Sequence, residues 1–165
     1  MFEIRRFKNG DVDGVVNVIH RTSLEVNIRD YPKEVMEALV DKVTPEFILK
    51  RARDFHMYVI LDEGNIIGVG AVGPYWNSIT ESSLFNLFIL PEYEGKGLGR
   101  KLIETLEQDE YYKRADRIEV SASISALEFY RYFGYGFKKL GNITDSGGDC
   151  LLYTSPSPRD TERCR

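Results

Sequence analysis

The sequence predicts a single mixed α/β domain. Three observations lead there. The chain is 165 residues long, the size of one ordinary domain with one sizeable core. Strand-like and helix-like patterns alternate along it in the order strand, helices, three strands, helix, strand, helix, strand. Neither an internal repeat nor a linker interrupts residues 1–149.

The first strand is Phe2-Glu3-Ile4-Arg5-Arg6-Phe7, where apolar and polar residues alternate. Asn9-Gly10-Asp11 is a turn that caps a helix, and Val12, Val15, Val16 and Ile19 share one face of that helix. Asp30-Tyr31-Pro32 breaks the pattern. Val35, Met36, Leu39 and Val40 mark a second helix. Thr44-Pro45-Glu46 is a cap with proline at the first helical position, opening a third helix that runs to about residue 53. Residues 56–61 and 66–72 are β-rich runs around the turn Asp62-Glu63-Gly64-Asn65, hence a hairpin. After the loop Pro74-Tyr75-Trp76-Asn77, a long β run over 82–90 ends at Pro91. Leu98, Leu102, Ile103 and Leu106 then give a helix its apolar stripe. Residues 118–121 read as a short strand. Ala126, Phe129, Tyr130 and Phe133 give a last helical face closed by Gly134, and 137–140 is a final β run.

Composition narrows the function. Lys and Arg number 22 against 26 Asp and Glu, a net charge of −4, so there is no general drive toward nucleic acid or anionic membrane. No apolar run reaches the ~20 residues of a membrane span, and residues 1–10 carry charges throughout without an apolar signal core. Both cysteines, Cys150 and Cys164, fall in the last sixteen residues, which leaves 1–149 without a disulfide framework, a thiolate metal site or a cysteine nucleophile. The expected setting is reducing and cytoplasmic. No group of His, Cys, Asp and Glu has metal-ligand spacing, so no metal is expected.

The strongest chemical signal is Glu94-Gly95-Lys96-Gly97-Leu98-Gly99-Arg100-Lys101, set between a β run and an amphipathic helix. Glycines let several backbone N–H groups converge, and the helix start adds unpaired donors and a partial positive charge. Lys96, Arg100 and Lys101 add cations, so the loop suits a phosphate or pyrophosphate. No Ser or Thr follows a Gly-Lys pair at P-loop spacing, which argues against a magnesium-triphosphate site. Gly68-Val69-Gly70-Ala71-Val72-Gly73 fits a dinucleotide pattern, but a loop rather than a helix follows it; those glycines serve a bulge or a close approach.

Pro91-Glu92-Tyr93-Glu94-Gly95-Lys96-Gly97-Leu98-Gly99 resembles the acyl-CoA-binding motif of the GNAT N-acetyltransferase superfamily, Q/R-x-x-G-x-G/A, with Glu94 in place of Gln or Arg. Ser123-Ile124-Ser125-Ala126-Leu127-Glu128-Phe129-Tyr130, followed by Phe133-Gly134-Tyr135, resembles the same family's N-x-x-A-x-x-x-Y…G-F/Y segment, with Ser123 in place of Asn. The likeness covers residues 1 to about 149. It implies a mostly antiparallel sheet flanked by helices and splayed between its fourth and fifth strands. It implies acetyl-CoA as co-substrate, with Phe88, Ile89 and Leu90 offering backbone groups to the pantetheine and thioester. The amides of Gly95, Lys96, Gly97, Leu98, Gly99 and Arg100 would cradle the pyrophosphate, with Glu94 and Ser123 as further cofactor contacts. Tyr130 matches the tyrosine that protonates the departing thiolate, a transfer between groups of comparable basicity.

The implied reaction is direct attack of an amine on the thioester in a ternary complex; the alternative is an acyl-CoA-binding or sensor module of the same fold. The implied acceptor is a small-molecule or peptide amine, placed between residues 27–31 and Tyr75-Trp76-Asn77, and a homodimer is compatible with the family. The general base is open: Glu81 reads as a solvated strand-end charge, Asn86 positions water at most, and His20 and His56 read as structural or exposed. Leu84, Asn86 and Phe88 are expected on one sheet face, Phe85 and Leu87 on the other.

Residues 150–160, CLLYTSPSPRD, resemble one translated frame of a sequencing adapter. The expectation is a domain over 1–149 and a non-native tail over 150–165, in which 151–154 imitates a closing strand and 155–165 is disordered.

Overall fold

A computed structural model of the chain describes residues 1–122, 127–132, 136–137, 144–145 and 149–154. Strand β1 (Phe2–Arg6) leads into α1 (Val12–Glu25), α2 (Lys33–Lys42) and α3 (Pro45–Asp54). The hairpin β2 (His56–Asp62) and β3 (Asn65–Pro74) is followed by β4 (Glu81–Ile89), α4 (Leu98–Glu107) and α5 (Glu110–Arg114). The chain continues with β5 (Arg117–Ala122), α6 (Leu127–Tyr132), β6 (Gly136–Phe137), β7 (Thr144–Asp145) and β8 (Asp149–Thr154).

Local chemistry explains the helix starts. The Asp11 carboxylate accepts from Lys8 N (2.8 Å) in the turn before α1, and both its oxygens accept from the Arg5 guanidinium (2.8 and 3.0 Å). That hydrogen-bonded pairing holds the Asp11 carboxyl below its ordinary range. Thr44 Oγ1 accepts from Phe47 N (3.2 Å), with Pro45 at the first position of α3. The apolar face of α1 lies about one residue away from the expected one. Val15, Val18, Ile19, Thr22 and Ser23 are buried, while Val12 and Val16 only pack at the margin of the core. The α4 stripe, Leu98, Leu102, Ile103 and Leu106, is buried as the spacing predicts.

The sheet runs β1-β2-β3-β4-β5-β8-β6, with β7 paired to β8. Every neighbouring pair is antiparallel except β4–β5. Two features set β4 apart from the other strands. Its pairing with β5 covers Glu81 to Leu84 only, although β4 continues to Ile89, so the sheet splays where the family resemblance implies. Against β3, Ala71 stands opposite Phe85 and Val69 opposite Phe88, so Asn86 and Leu87 share one partner, Gly70. This is a β-bulge, and Asn86 adopts φ +53° to make it. The expected alternation of Leu84, Asn86 and Phe88 on one face is therefore interrupted. A Cβ on Gly70 would lie 3.0 Å from Leu102 and 3.3 Å from Leu87, and one on Gly73 would overlap the Phe55 ring. These glycines allow neighbouring layers to close over β3.

The adapter resemblance at residues 150–160 is not borne out. The strand expected over 151–154 is present as part of β8, whose backbone pairs with β5 on one side and with β6 and β7 on the other. The unpaired edge of β5 and the β-prone run Leu151-Leu152-Tyr153 account for this placement, which extends the sheet past residue 149. Residues 155–165 lie outside the described residues. No described helix is long and apolar enough to cross a membrane.

Candidate active site

A cleft of about 640 Å³ opens beside the unpaired length of β4. Its floor is Leu87, Phe88 and Ile89; one wall is Thr22, Val26, Asn27 and Arg29 from the end of α1 and the turn after it. The other wall is the loop from Tyr93 to Arg100, the side of α4, and Phe129, Tyr130 and Tyr132 of α6. Beyond Leu84 only β3 pairs with β4, so alternate N–H and C=O groups along the other edge have no strand partner.

The loop is built for convergent donors. Gly95 and Gly97 adopt φ +76° and +77°, and Gly97 is the N-cap of α4 without a side-chain cap. A Cβ on either glycine would meet nothing within 4 Å, so these positions serve backbone direction rather than packing. The N–H groups of Leu98, Gly99 and Arg100 lie in the first turn of α4, where intrahelical acceptors are missing. Gly99 works differently. A Cβ there would stand 2.8 Å from Phe129 Cε2, so its bareness lets the loop and α6 close on each other.

Three ties fix the surroundings. Arg21 donates to both oxygens of Glu92 (2.9 Å each) and to Glu25, fastening α1 to the loop and holding the Glu92 carboxyl below its ordinary range. Tyr93 donates to Asp62 Oδ2 at 2.7 Å, a bond that raises the pKa of its phenol. Arg100 donates to Tyr132 Oη at 2.7 Å, with its guanidinium 5.1 Å from the centre of the Tyr132 ring. Tyr130 is 5% exposed, and its ring meets that of Phe129 edge-on at 5.2 Å.

The profile of the acetyltransferase (GNAT) domain matches residues 53–136. The chain belongs to the GNAT acetyltransferase family. An uncharacterised N-acetyltransferase of Archaeoglobus fulgidus is 31% identical over 106 residues, 62% of this chain and 69% of that one. The fold is similar to that of the PaiA N-acetyltransferase of Thermoplasma acidophilum, solved in complex with coenzyme A. The TM-score is 0.79 at 19% identity, covering 94% of this chain and 99% of that one. A GCN5-related N-acetyltransferase from Rhodopseudomonas palustris gives a TM-score of 0.75 at 20% identity, covering 93% and 94%.

Within this GNAT frame, the cleft gathers most of the residues singled out from sequence: Phe88, Ile89, Glu94, Gly95, Gly97, Leu98, Gly99, Arg100 and Tyr130. Two others do not line it. Leu90 is buried, and its N–H donates to Ile67 O (2.9 Å), so that donor is committed to β3. Lys96 is exposed to solvent. Ser123 lies outside the described residues. Of the expected acceptor region, Asn27 and Arg29 line the cleft and Tyr75 and Asn77 do not; the Trp76 side chain lies outside the described residues. Thr22, Val26, Leu87, Tyr93, Leu102, Phe129 and Tyr132 were not anticipated. Tyr93 sits inside the glycine-loop motif and Tyr132 two residues past Tyr130, so proximity was a usable signal for both. Thr22 and Val26 carry none, because nothing in a helix sequence says which loop its end will face.

Both histidines are structural ties. His20 Nε2 lies 2.8 Å from Val43 O, and His56 Nδ1 lies 2.9 Å from both oxygens of the buried Asp109. Glu81 is a partly exposed strand-end carboxylate, 4.0 Å from Arg117.

Proposed function

We propose that the protein moves an acetyl group from acetyl-CoA to a primary amine by direct attack in a ternary complex. The observation that carries this reading is the loss of the β5 partner after Leu84. It leaves an open strand edge in the floor of the cleft that the glycine loop and Tyr130 also line. Backbone groups of Phe88 and Ile89 on that edge hold the pantetheine arm and the thioester carbonyl. The N–H groups of residues 95–100, reinforced by the Arg100 cation, hold the pyrophosphate.

The neutral amine nitrogen forms the C–N bond with the thioester carbon, and the C–S bond breaks. The departing sulfur carries off the electron pair and takes the phenolic proton of Tyr130; the proton shed by the amine passes to water, and Tyr130 is reprotonated from solvent.

The test is calorimetric titration of acetyl-CoA with ATP as control, followed by an amine panel with wild type and Tyr130→Phe. The expected result is saturable binding of acetyl-CoA alone, and a kcat about 10²–10³-fold lower in Tyr130→Phe at an unchanged acetyl-CoA Kd. An unchanged kcat would remove Tyr130 from the acid's role. Binding without transfer to any amine would make the protein an acyl-CoA-binding module.

A further inference from the structure

Among the described residues, three charged side chains line the cleft: Glu94, Arg100 and Arg29. Glu94 and Arg100 belong to the glycine loop and the first turn of α4, and Arg100 is hydrogen-bonded to Tyr132. Arg29 stands on the other wall, where Thr22, Val26 and Asn27 bring no carboxylate. Two arginines of the neighbouring elements are matched by acids, Arg5 by Asp11 and Arg21 by Glu25 and Glu92. The Arg29 guanidinium has neither an ion pair nor a hydrogen bond among the described residues.

The side chain is exposed, but the backbone that carries it is braced. Arg29 ends a tight 3₁₀ turn, Asn27–Arg29, in which Arg29 N donates to Val26 O (3.1 Å). Asn27 O accepts from Asp30 N (3.0 Å) and Tyr31 N (3.2 Å), and Asn27 and Tyr31 are themselves buried. A cation held on a braced turn, facing a cleft and without a protein partner, is arranged for an anion from outside the chain. The glycine loop already supplies donors for the cofactor's pyrophosphate, so Arg29 is free for a second anionic group.

We propose that this group is a carboxylate on the acceptor, so that the substrates are amino-acid-like amines and Arg29 is their specificity determinant. The proposal rests on the acetyl-transfer reading above. Among the described residues no carboxylate lines this wall to meet a polyamine or simple alkylamine, whereas a carboxylate can pair with the planar guanidinium in two parallel hydrogen bonds beside the Asn27 side chain.

The experiment compares matched acceptors with and without the carboxylate: L-phenylalanine with phenethylamine, L-lysine with cadaverine, and β-alanine with ethylamine. At least one carboxylated member should be acetylated with a kcat/KM about 10- to 100-fold above its partner, expressed in KM. Arg29→Gln should erase the preference and Arg29→Lys restore part of it, both with unchanged acetyl-CoA Kd. Titration of the same acids into CoA-saturated protein reads Arg29 without turnover. Binding there that Arg29→Gln abolishes would uphold the proposal even if acetyl transfer failed. Preference for the decarboxylated members would overturn it, as would no binding of any acid. An Arg29→Gln variant that weakens CoA but not dephospho-CoA would also overturn it, by assigning Arg29 to the cofactor's 3′-phosphate.

Discussion

The two halves of strand β4 have opposite characters. From Ser82 to Leu84 the strand is paired on both sides, and all three residues are buried. Its hydroxyls are committed: Ser82 Oγ donates to Tyr111 O (2.7 Å) and Ser83 Oγ to Glu119 O (2.9 Å). From Phe85 to Ile89 the β5 partner is gone, a bulge turns Asn86 to φ +53°, and every side chain is half-buried. The buried Asn86 Oδ1 has no hydrogen-bond partner among the described residues. One half is saturated and stabilises the sheet. The other keeps backbone groups and apolar surface available, at some cost in stability, and its Leu87, Phe88 and Ile89 line the cleft. On the proposed function, sequence-adjacent residues of one strand divide between folding and binding, and the divide falls where the pairing stops.

Matched truncations on either side of that divide should produce crossed outcomes. Leu84→Ala removes a fully buried side chain between two sheet neighbours and should cost about 2–5 kcal/mol, a fall of roughly 5–15 °C in Tm for a chain of this size. Its acetyl-CoA Kd, measured below the transition, should stay within about twofold. Phe88→Ala should cost only about 1 kcal/mol, since the ring is half exposed to the cleft, but raise the acetyl-CoA Kd about tenfold. Thermal melts and calorimetric titration of both variants decide it. Equal losses of affinity would mean that the two halves are not separable.

The same divide explains what the sequence disclosed. The α4 stripe, the β2–β3 turn and the glycine loop are local patterns, and each lies where its spacing says. The bulge at Asn86 depends on the register against Gly70 on another strand, which local alternation does not contain. The face of α1 shifted by about one residue because the valines along it offer two overlapping stripes, and the sheet and neighbouring helices choose between them. The short α5 has too few residues for a periodic signal. Within the site, the motif residues were legible as a motif. The Gly99–Phe129 contact and the wall from Thr22 to Arg29 arise only when distant segments meet.

The paired half can also be probed through α5, which is docked to it by the Ser82–Tyr111 bond. Asp109 caps α5 by accepting from Tyr111 N (2.9 Å), and its carboxylate also accepts from Tyr58 Oη (2.6 Å) and contacts His56. Burial, then the bond to Asp109, pushes the Tyr58 phenol up to about 12 from 10. The folded chain therefore holds this proton more tightly than the unfolded one. The resulting stability is whole below pH 10 and is lost as pH rises toward 12. Between those limits wild type should lose on the order of 1–2 kcal/mol more than Tyr58→Phe, after allowance for partial solvent screening. Urea denaturation of both proteins across that window measures the difference. Parallel pH profiles would show that the hydroxyl bond does not hold α5 in place.

Gly97→Ala offers the finest test on the cleft side, because it changes backbone preference almost alone. The added methyl meets nothing within 4 Å, so the penalty is the left-handed φ of +77°, about 1 kcal/mol for alanine. The loop can keep its shape and bear that strain, or rotate Gly97 into an ordinary region and turn the neighbouring N–H groups away from one another. Either route weakens a ligand held by convergent amides, so the acetyl-CoA Kd should rise about five- to tenfold. Asparagine tolerates the left-handed region better than alanine, so Gly97→Asn should fall between wild type and Gly97→Ala in affinity. Gly99→Ala supplies the contrast, since its methyl would press on Phe129 and disturb α6 as well as the loop. A Gly97→Ala variant that lost stability but not affinity would mean that the left-handed turn only reverses the chain, and that the cofactor's phosphates rest on something other than these amides.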